Sequence, residues 1–428
     1  MKYAFINGHI LDGSENMEVI SHKVILTNKD KIESITDEST SRAGYQEVDL
    51  QGAFIMPGLI NMHVHLPGSG KPKRKQRDSV KAAHMATSNK LFRHMSMKMC
   101  ENYARTELMS GVTTIRTVGG LLDYDTNIRD RINRGELVGP RIIAGNQAIT
   151  VEGGHMAGSV ARIVGNEKEA RQAVDDLVEQ HVDFIKLMIT GGVMDATEKG
   201  GAGALKMPPE IIKAACDEAH RNNLIVAAHV ESSEGVRIAL ENGVDSIEHG
   251  AMCDEEIIDL FKKRHAFLTT TISPALPFAL FDRKISHCNE IQQYNGKLVF
   301  DGIIDNAKKA LANDIPVALG TDTACPYVTH YDMWRELIYF VKYCGVSPRY
   351  ALYSATLGNA KLLNVGKITG SITAGKYADM IVTKINPLDD LSTLSNVTHV
   401  IMRGKLYKPD YIKKYAEVER QLDPFCKL

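Results

Sequence analysis

Residues 57–66 constrain the fold of this chain more than any other stretch of the sequence. They form an apolar, strand-like run that ends with His63 and His65. Because successive side chains of a strand point to opposite faces, two histidines two positions apart share a face and can reach one metal ion. The run therefore predicts a buried strand that carries two metal ligands at its carboxyl end.

Four later strand-like runs also end in a residue whose side chain can bind a metal. Such side chains at the carboxyl ends of successive parallel strands are what a metal site at the mouth of a β/α barrel requires. Imidazole and carboxylate ligands favour zinc or another divalent first-row ion. The four runs are residues 184–186, ending in Lys186; 225–229, ending in His229; 246–249, ending in His249; and 316–322, ending in Asp322.

Between residues 57 and 369, strand-like runs alternate with amphipathic helical stretches, a rhythm typical of β/α units around a parallel sheet. Residues 57–66 and seven later runs make eight strands, which predicts an α/β fold of the (β/α)8 TIM-barrel type. Helices are predicted at residues 167–180, 209–222 and 233–242. The seven later strands are predicted at residues 113–119, 141–146, 184–189, 225–230, 246–250, 267–272 and 316–322.

The two ends of the chain read as short strands separated by turns, and neither end could readily bury a face alone. We therefore expect residues 1–56 and 370–428 to form one small discontinuous β-sandwich domain, with residues 57–369 as the metal-binding barrel domain. Near-helical spacing of Tyr411, Ile412, Tyr415 and Val418 predicts a C-terminal helix within residues 408–428.

Charge and cysteine usage exclude several classes of function. The formal net charge of −1 gives no reason to expect a nucleic acid or a membrane as partner. The first residues lack the long apolar run of a signal peptide, so we expect a cytoplasmic protein. Seven cysteines without paired spacing predict no disulfide framework, and Cys325 is expected to be a small loop side chain.

Residues 67–99 depart from the compact rhythm of the barrel. Glycines and prolines at the start predict a long loop on the catalytic face, which would suit a mobile lid. The basic cluster at residues 71–77 favours a solvated surface over a site for anionic substrates.

In their order, the six ligand-type residues closely resemble the amidohydrolase superfamily of metal-dependent hydrolases, and the resemblance covers nearly the whole chain. Similarity to the binuclear branch implies two divalent ions, for which zinc is expected, and a carboxylated lysine that bridges them. It implies that an activated water attacks the scissile carbonyl while a carboxylate moves the proton to the leaving amine. The six residues are His63, His65, Lys186, His229, His249 and Asp322.

The resemblance also implies roles outside the ligand set. Asp322 would be the acid and base of the reaction, and His155, in Gly153-Gly154-His155, resembles a substrate-facing loop of the prolidase-like and imidazolonepropionase-like branch. Tyr327 and His330 are expected in the pocket wall. Arg116 could pair with a substrate carboxylate, although burial beneath the site is an equal alternative.

One residue departs from the resemblance. Several dipeptidase relatives carry a tyrosine soon after the fifth-strand histidine to bind a carboxylate, whereas here Glu231 follows His229 and Val230. We expect a small-molecule substrate, either an Xaa-Pro dipeptide or an N-acyl amino acid, and a homo-oligomeric enzyme. The alternatives are a cyclic-amide hydrolase or deaminase of the imidazolonepropionase type, or a catalytically silent scaffold.

Overall fold

The structure is a computed structural model that describes residues 1–72, 78–409 and 412–428. Its strands coincide with the apolar or alternating runs of the sequence, and all six residues of Leu59–Val64 are buried. The strands are β1 (Lys2–Ile6), β2 (His9–Leu11), β3 (Val19–Ile20), β4 (Lys23–Asn28), β5 (Lys31–Asp37), β6 (Gln46–Asp49), β7 (Phe54–Pro57), β8 (Leu59–Val64), β9 (Val112–Thr117), β10 (Arg141–Ala144), β11 (Ala148–Thr150), β12 (Ala161–Ile163), β13 (Ile185–Met188), β14 (Val226–Val230), β15 (Ser246–His249), β16 (Phe267–Thr270), β17 (Val317–Leu319), β18 (Met380–Thr383), β19 (His399–Met402) and β20 (Lys405–Tyr407).

Two parallel sheets form the centre of the molecule. One has the order β10-β9-β8 and the other β12-β11-β13-β14-β15-β16-β17, so all eight predicted strands are present and β11 and β12 are additional. At one junction of the sheets, the Asp322 N–H donates to the His63 carbonyl at 2.8 Å. At the other, the Asp183 N–H donates to the Ala144 carbonyl at 2.8 Å. The fold is therefore α/β with parallel strands. Among the described residues, the backbone hydrogen bonds between strands form two separate parallel sheets and not one closed barrel.

Helices pack beside these strands through apolar stripes. The helix predicted at residues 167–180 is an example, because it buries Ala170, Ala173, Val174 and Leu177 at helical spacing. No helix among the described residues is long and apolar enough to cross a membrane. The helices are α1 (Ser79–Thr87), α2 (Lys90–Met109), α3 (Tyr124–Asn133), α4 (Glu167–Glu179), α5 (Pro209–Arg221), α6 (Ser233–Glu241), α7 (Glu255–Arg264), α8 (Ile272–Leu280), α9 (Arg283–Ser286), α10 (Glu290–Ala312), α11 (Met333–Cys344), α12 (Pro348–Tyr353), α13 (Asn359–Leu362) and α14 (Ala416–Leu422).

The prediction of a long loop over residues 67–99 is wrong for its second half. Helices α1 and α2 occupy most of residues 79–99, and each begins at a side-chain cap. Asp78 accepts from the Lys81 N–H, and Asn89 accepts from the Phe92 N–H, which satisfies backbone donors that a helix start leaves free. Residues 73–77 of the basic cluster lie outside the described residues, and a lid function for residues 67–99 stays a prediction.

The predicted C-terminal helix is shorter than expected. It begins at Ala416, so Ile412 and Tyr415 precede it, and Tyr411 lies outside the described residues. The Tyr415 N–H donates to the Tyr331 hydroxyl at 2.8 Å, and Tyr415 keeps an extended backbone with ψ 110°. This contact with Tyr331 holds Tyr415 in an extended conformation, and the helix therefore begins only at Ala416.

The two ends of the chain meet in a six-stranded sheet of order β20-β19-β18-β7-β2-β3, where β18 pairs antiparallel with β7. A second sheet, β5-β4-β1-β6, lies against it. One hydrophobic cluster contains Phe5 and Ile25 of the four-stranded sheet together with Ile55 and Met380 of the six-stranded sheet. The ends are thus packed together, while the sandwich description and the domain boundaries at residues 56 and 370 stay predictions.

Met380 provides a test of this coupling, because it is fully buried on β18 beside residues of the N-terminal segment. Met380→Ala should lower the free energy of unfolding by about 2–5 kcal/mol. Hydrogen exchange should also speed up at the amides of β7, the partner strand. Val19→Ala is the control, since Val19 lies on the edge strand of the same sheet and is 41% exposed. Unchanged β7 exchange in a destabilised Met380→Ala protein would contradict the coupling.

Candidate metal centre

The six predicted ligands come from five strands, β8, β13, β14, β15 and β17, or from the residues that follow them. His63, His249 and Asp322 offer ligand atoms that all lie within 4.8 Å of one another. The remaining members of the set surround this trio. The six are His63 on β8, His65 just after β8, Lys186 on β13, His229 on β14, His249 at the end of β15, and Asp322 after β17.

Hydrogen bonds fix which ring nitrogens face the centre. The Nε2 atoms of His63 and His65 lie 3.5 Å and 3.3 Å from Asp322 Oδ1. The Nδ1 atom of His63 is bonded to Glu248 Oε2 at 2.7 Å, and that of His65 to the Gly119 carbonyl at 2.9 Å. Because a metal-binding histidine usually donates its second nitrogen in this way, both rings have the orientation of ligands.

The other two histidines lie beside this group. The ring centroid of His249 is 4.9 Å from that of His63 and 4.7 Å from that of His229. His249 Nδ1 shares a hydrogen bond of 2.7 Å with Thr271 Oγ1, and His229 Nε2 lies 3.4 Å from the Gly191 carbonyl oxygen. Four imidazoles thus converge within one buried region.

Burial and mutual interactions set the charges of these groups. Burial lowers the pKa of His63 and of His229 well below the usual range, and it lowers the pKa of His249 to about 4. Burial alone would raise the pKa of Asp322, but His63, His65 and His249 hold it well below its usual value. Neutral imidazoles around an ionised carboxylate are the protonation states that bind a metal.

Lys186 fits such a centre through its lack of a partner. Its side chain is fully buried, and Nζ has no hydrogen-bond partner among the described residues. Burial, together with the positive charge of Arg116, lowers the pKa of Lys186 to about 8. The negative charges of Glu248 and Asp322 act in the opposite direction. A neutral amine is therefore accessible near neutral pH, and an unpaired buried ammonium would be costly. The donor set and this orphaned amine together fit divalent metal ions.

Arg116 lies beneath the centre and not in a pocket. Its Nη2 donates to both carboxylate oxygens of Glu248 at 2.7 Å, and its Nε donates to the Met62 carbonyl at 2.7 Å. This arrangement favours the buried alternative for Arg116 over a contact with substrate. Sequence reasoning missed Glu248 itself, although an acid and an arginine inside buried strands each need an opposite charge.

Tyr327 and His330 hold loops together. The Tyr327 hydroxyl donates to the Ile285 carbonyl at 2.8 Å. His330 is buried between Glu107 Oε1, at 3.1 Å from Nδ1, and the Gly68 carbonyl, at 2.7 Å from Nε2. These contacts use the polar atoms of both side chains, and the predicted place of Tyr327 and His330 in the pocket wall stays a prediction.

His155 does reach the centre. Its ring stacks on His229 with centroids 4.2 Å apart and planes 10° apart, and its Nδ1 is bonded to Asp195 Oδ2. The same oxygen of Asp195 accepts from the Gly192 N–H at 3.0 Å. A Cβ at Gly192 would lie 2.9 Å from the His155 ring, so a larger residue there would displace this ring. Asp195 is not recognisable from the sequence as a partner of His155, since no local pattern links the two residues.

Glu231 lies next to the same region. Its Oε2 is buried and has no hydrogen-bond partner among the described residues. Burial, with added repulsion from Asp322 and Asp195, raises the pKa of Glu231 to about 8. The residue that departs from the family resemblance is thus an acid with one unpartnered, buried oxygen atom.

Comparison with known proteins gives a consistent result. Residues 54–407 match the model of the Amidohydrolase family. A solved structure of a candidate prolidase from Bifidobacterium longum has a TM-score of 0.87 and 35% identity, covering 99% of this chain and 98% of that one. A Xaa-Pro dipeptidase with methionine bound in its active site has a TM-score of 0.83 and 31% identity, covering 95% and 100%. Ochratoxinase of Aspergillus niger is 28% identical over 403 residues, covering 87% of this chain and 78% of the relative.

Glu248 provides a test of the centre. Glu248→Gln removes the charge opposite the buried Arg116 and the strong acceptor of His63 Nδ1. We expect a loss of about 3–5 kcal/mol in the free energy of unfolding and of about 10–100-fold in metal affinity. Glu255→Gln, at an exposed acid on α7, is the control for removal of one charge. Calorimetry and metal titration would measure both, and unchanged values would show that neither Arg116 nor His63 depends on this carboxylate.

Proposed function

Because the chain belongs to the amidohydrolase family, making it a hydrolase of carbon–nitrogen bonds, we propose that it is a binuclear metal-dependent enzyme that cleaves an Xaa-Pro dipeptide or an N-acyl amino acid. The observation that carries the proposal is the convergence of His63, His249 and Asp322 beside the unpartnered amine of Lys186. The prolidase-like solved structures and the ochratoxinase relative support amide substrates.

The ligand set divides between two ions, for which zinc is the preferred identity. His63, His65 and Asp322 would hold one, and His229 and His249 the other. Lys186, carboxylated by carbon dioxide, would supply oxygen atoms to both. When bound, such ions polarise a substrate carbonyl and lower the pKa of a water molecule.

The side chains of the protein move the proton and position the carbonyl. Asp322 accepts the proton of the attacking water and passes it to the leaving nitrogen, in keeping with its ionised state among three imidazoles. His155 donates from Nε2 to the carbonyl oxygen as negative charge develops there. Asp195 supports this role, because its bond to His155 Nδ1 leaves Nε2 available to the substrate.

The architecture belongs to the same proposal. We propose that the eight parallel strands form a (β/α)8 barrel of residues 57–369, since the junctions β8/β17 and β10/β13 are bridged by single backbone bonds. Residues 1–56 and 370–428 would form the small β-sandwich domain. All seven cysteines are free, which supports a reducing, cytoplasmic location. A homo-oligomeric state stays a prediction.

Two alternatives remain distinguishable. A cyclic-amide hydrolase or deaminase of the imidazolonepropionase type would use one ion and has no need of a bridging lysine, which the buried position of Lys186 disfavours. A silent scaffold would have no reason to keep neutral imidazoles around an ionised carboxylate.

The proposal predicts close to two divalent ions per chain and turnover of at least some dipeptides or N-acyl amino acids. Lys186→Met should bind fewer ions and lose activity, because the bridging group is gone. Lys168→Met, at an exposed lysine of α4, should behave as the wild type. Elemental analysis and a hydrolysis screen on the same preparations give the result. One ion per chain together with an unmodified Lys186 would refute the binuclear mechanism.

Asp322 carries a separate prediction. Asp322→Asn keeps an oxygen near His63 and His65 but cannot hold the proton, so turnover should fall by about 10²–10⁴-fold with the fold intact. Asp314→Asn removes an exposed acid from the turn before β17 and is the matched control. Steady-state kinetics with metal content measured in parallel test this role. Near-normal turnover per bound metal in Asp322→Asn would exclude it.

A further inference from the structure

We propose that Lys206 binds the carboxylate of the substrate, on the amino acid whose nitrogen is the leaving group. This role rests on the proposed hydrolysis of Xaa-Pro dipeptides or N-acyl amino acids and goes beyond it, because it assigns a residue to the recognition of that charge. In both substrate classes, only the nitrogen and one carbon atom separate the carboxylate from the scissile carbonyl carbon. The position, contacts and charge of Lys206 each support the role.

The backbone of Lys206 is fixed on a segment that pairs with the chain leaving β13. Its N–H donates to the Ile189 carbonyl at 3.0 Å, and Thr190 and Leu205 form an antiparallel bridge beside this bond. Leu205 packs against the main hydrophobic cluster, and Thr190 turns toward α6. Because successive side chains alternate between faces, Lys206 and Gly191 lie on the other face of this pairing.

That other face lies along the metal centre. A Cβ at Gly191 would lie 3.6 Å from Lys206 Cε, so the aliphatic stem of Lys206 runs over Gly191. The Gly191 carbonyl oxygen is 3.4 Å from His229 Nε2, and the next residue, Gly192, packs against the His155 ring. A donor for the carbonyl oxygen and a cation for the carboxylate thus flank adjacent residues, as the two groups are close together in the substrate.

The amine of Lys206 is available to a ligand. The side chain is exposed, and its amine makes no hydrogen bond or ion pair with any residue that the structure describes. Lys199, on the same loop between β13 and α5, is instead bound by Glu290 at 2.5 Å. A lysine ammonium has three donors and no acceptor, so a carboxylate matches both its charge and its hydrogen bonding.

The other charges of the centre make a separate cation useful. Asp195, bonded to His155 and to the Gly192 N–H, would repel a substrate carboxylate, and the positive charge of Lys206 acts on this side of the centre. The two proposed divalent ions also attract carboxylates. A carboxylate bound to them would occupy the positions that the carbonyl oxygen and the water need, whereas Lys206 lies outside the ligand set.

The test compares each substrate found by the hydrolysis screen with its C-terminal amide, using metal-loaded enzyme. Alanylproline with alanylprolinamide is one such pair, and the release of alanine reports cleavage of the same bond in both. The amide keeps the size of the substrate but removes its negative charge. The wild type should prefer the free acid by about 10–100-fold in kcat/KM, the scale of a hydrogen bond between charged groups.

Variants then assign the preference to Lys206. Lys206→Met keeps the stem without the charge, so the preference should fall to within a few-fold, mainly through a higher KM for the acid. Lys206→Arg keeps a cation and should retain most of the preference. Lys199→Met, on the same loop, is the control and should behave as the wild type. Melting temperature and metal content confirm that each variant is folded and loaded.

The outcomes separate this role from the proposed function. Equal kcat/KM for acid and amide in the wild type overturns the role of Lys206 while leaving amide hydrolysis standing. A preference that Lys206→Met retains also overturns it, since the carboxylate would then bind elsewhere. An equal loss for both members of each pair in Lys206→Met would show that Lys206 acts only through Asp195 or the fold. Hydrolysis of no acid and no amide refutes the proposed function instead.

Discussion

The buried ion pair between Arg116 and Glu248 is the interaction on which the metal centre depends. Arg116, on β9, donates to Glu248 on β15, and Glu248 in turn accepts from His63 on β8. Arg116 also donates to Met62 of β8 and to Thr269 of β16, so one guanidinium ties together four strands. Removing either charge would leave the other buried without a partner, which is why the pair fixes His63 so firmly.

Backbone geometry at the strand ends sets the direction of the other ligands. His249 and Asp322 both have positive φ, 67° and 58°, a region that L residues seldom occupy. Local bonds hold them there, through Thr271 to His249 and from the Asp322 N–H to the His63 carbonyl. The strain is therefore supported by contacts within the site, and it lets each side chain turn from its strand toward the centre.

The sequence predicts features that depend on neighbouring residues, and it does not predict contacts between distant segments. The eight parallel strands and their terminal His, Lys and Asp residues are visible because apolar runs and their last residues are local features. Glu248, Thr271 and Asp195 were missed because each matters only through a partner on another strand or loop. The helices α1 and α2 were not predicted because the loop expected from the Gly- and Pro-rich start of residues 67–99 was extended beyond Asp78. The side chain of Asp78 caps α1 and marks where that helix begins.

The structure places the predicted metal ligands and the other polar side chains of the centre on different kinds of element. Lys186 and His249 lie on strands that neighbouring strands hold on both sides, whereas His63 lies on β8, which pairs with β9 and accepts a backbone bond from Asp322. Asp195 lies on a loop and Glu231 just beyond the end of a strand, and glycines at 192 and 203 let the chain pack closely there. The same strands can therefore carry one ligand set while the loops around it differ, which is how one fold serves several substrates.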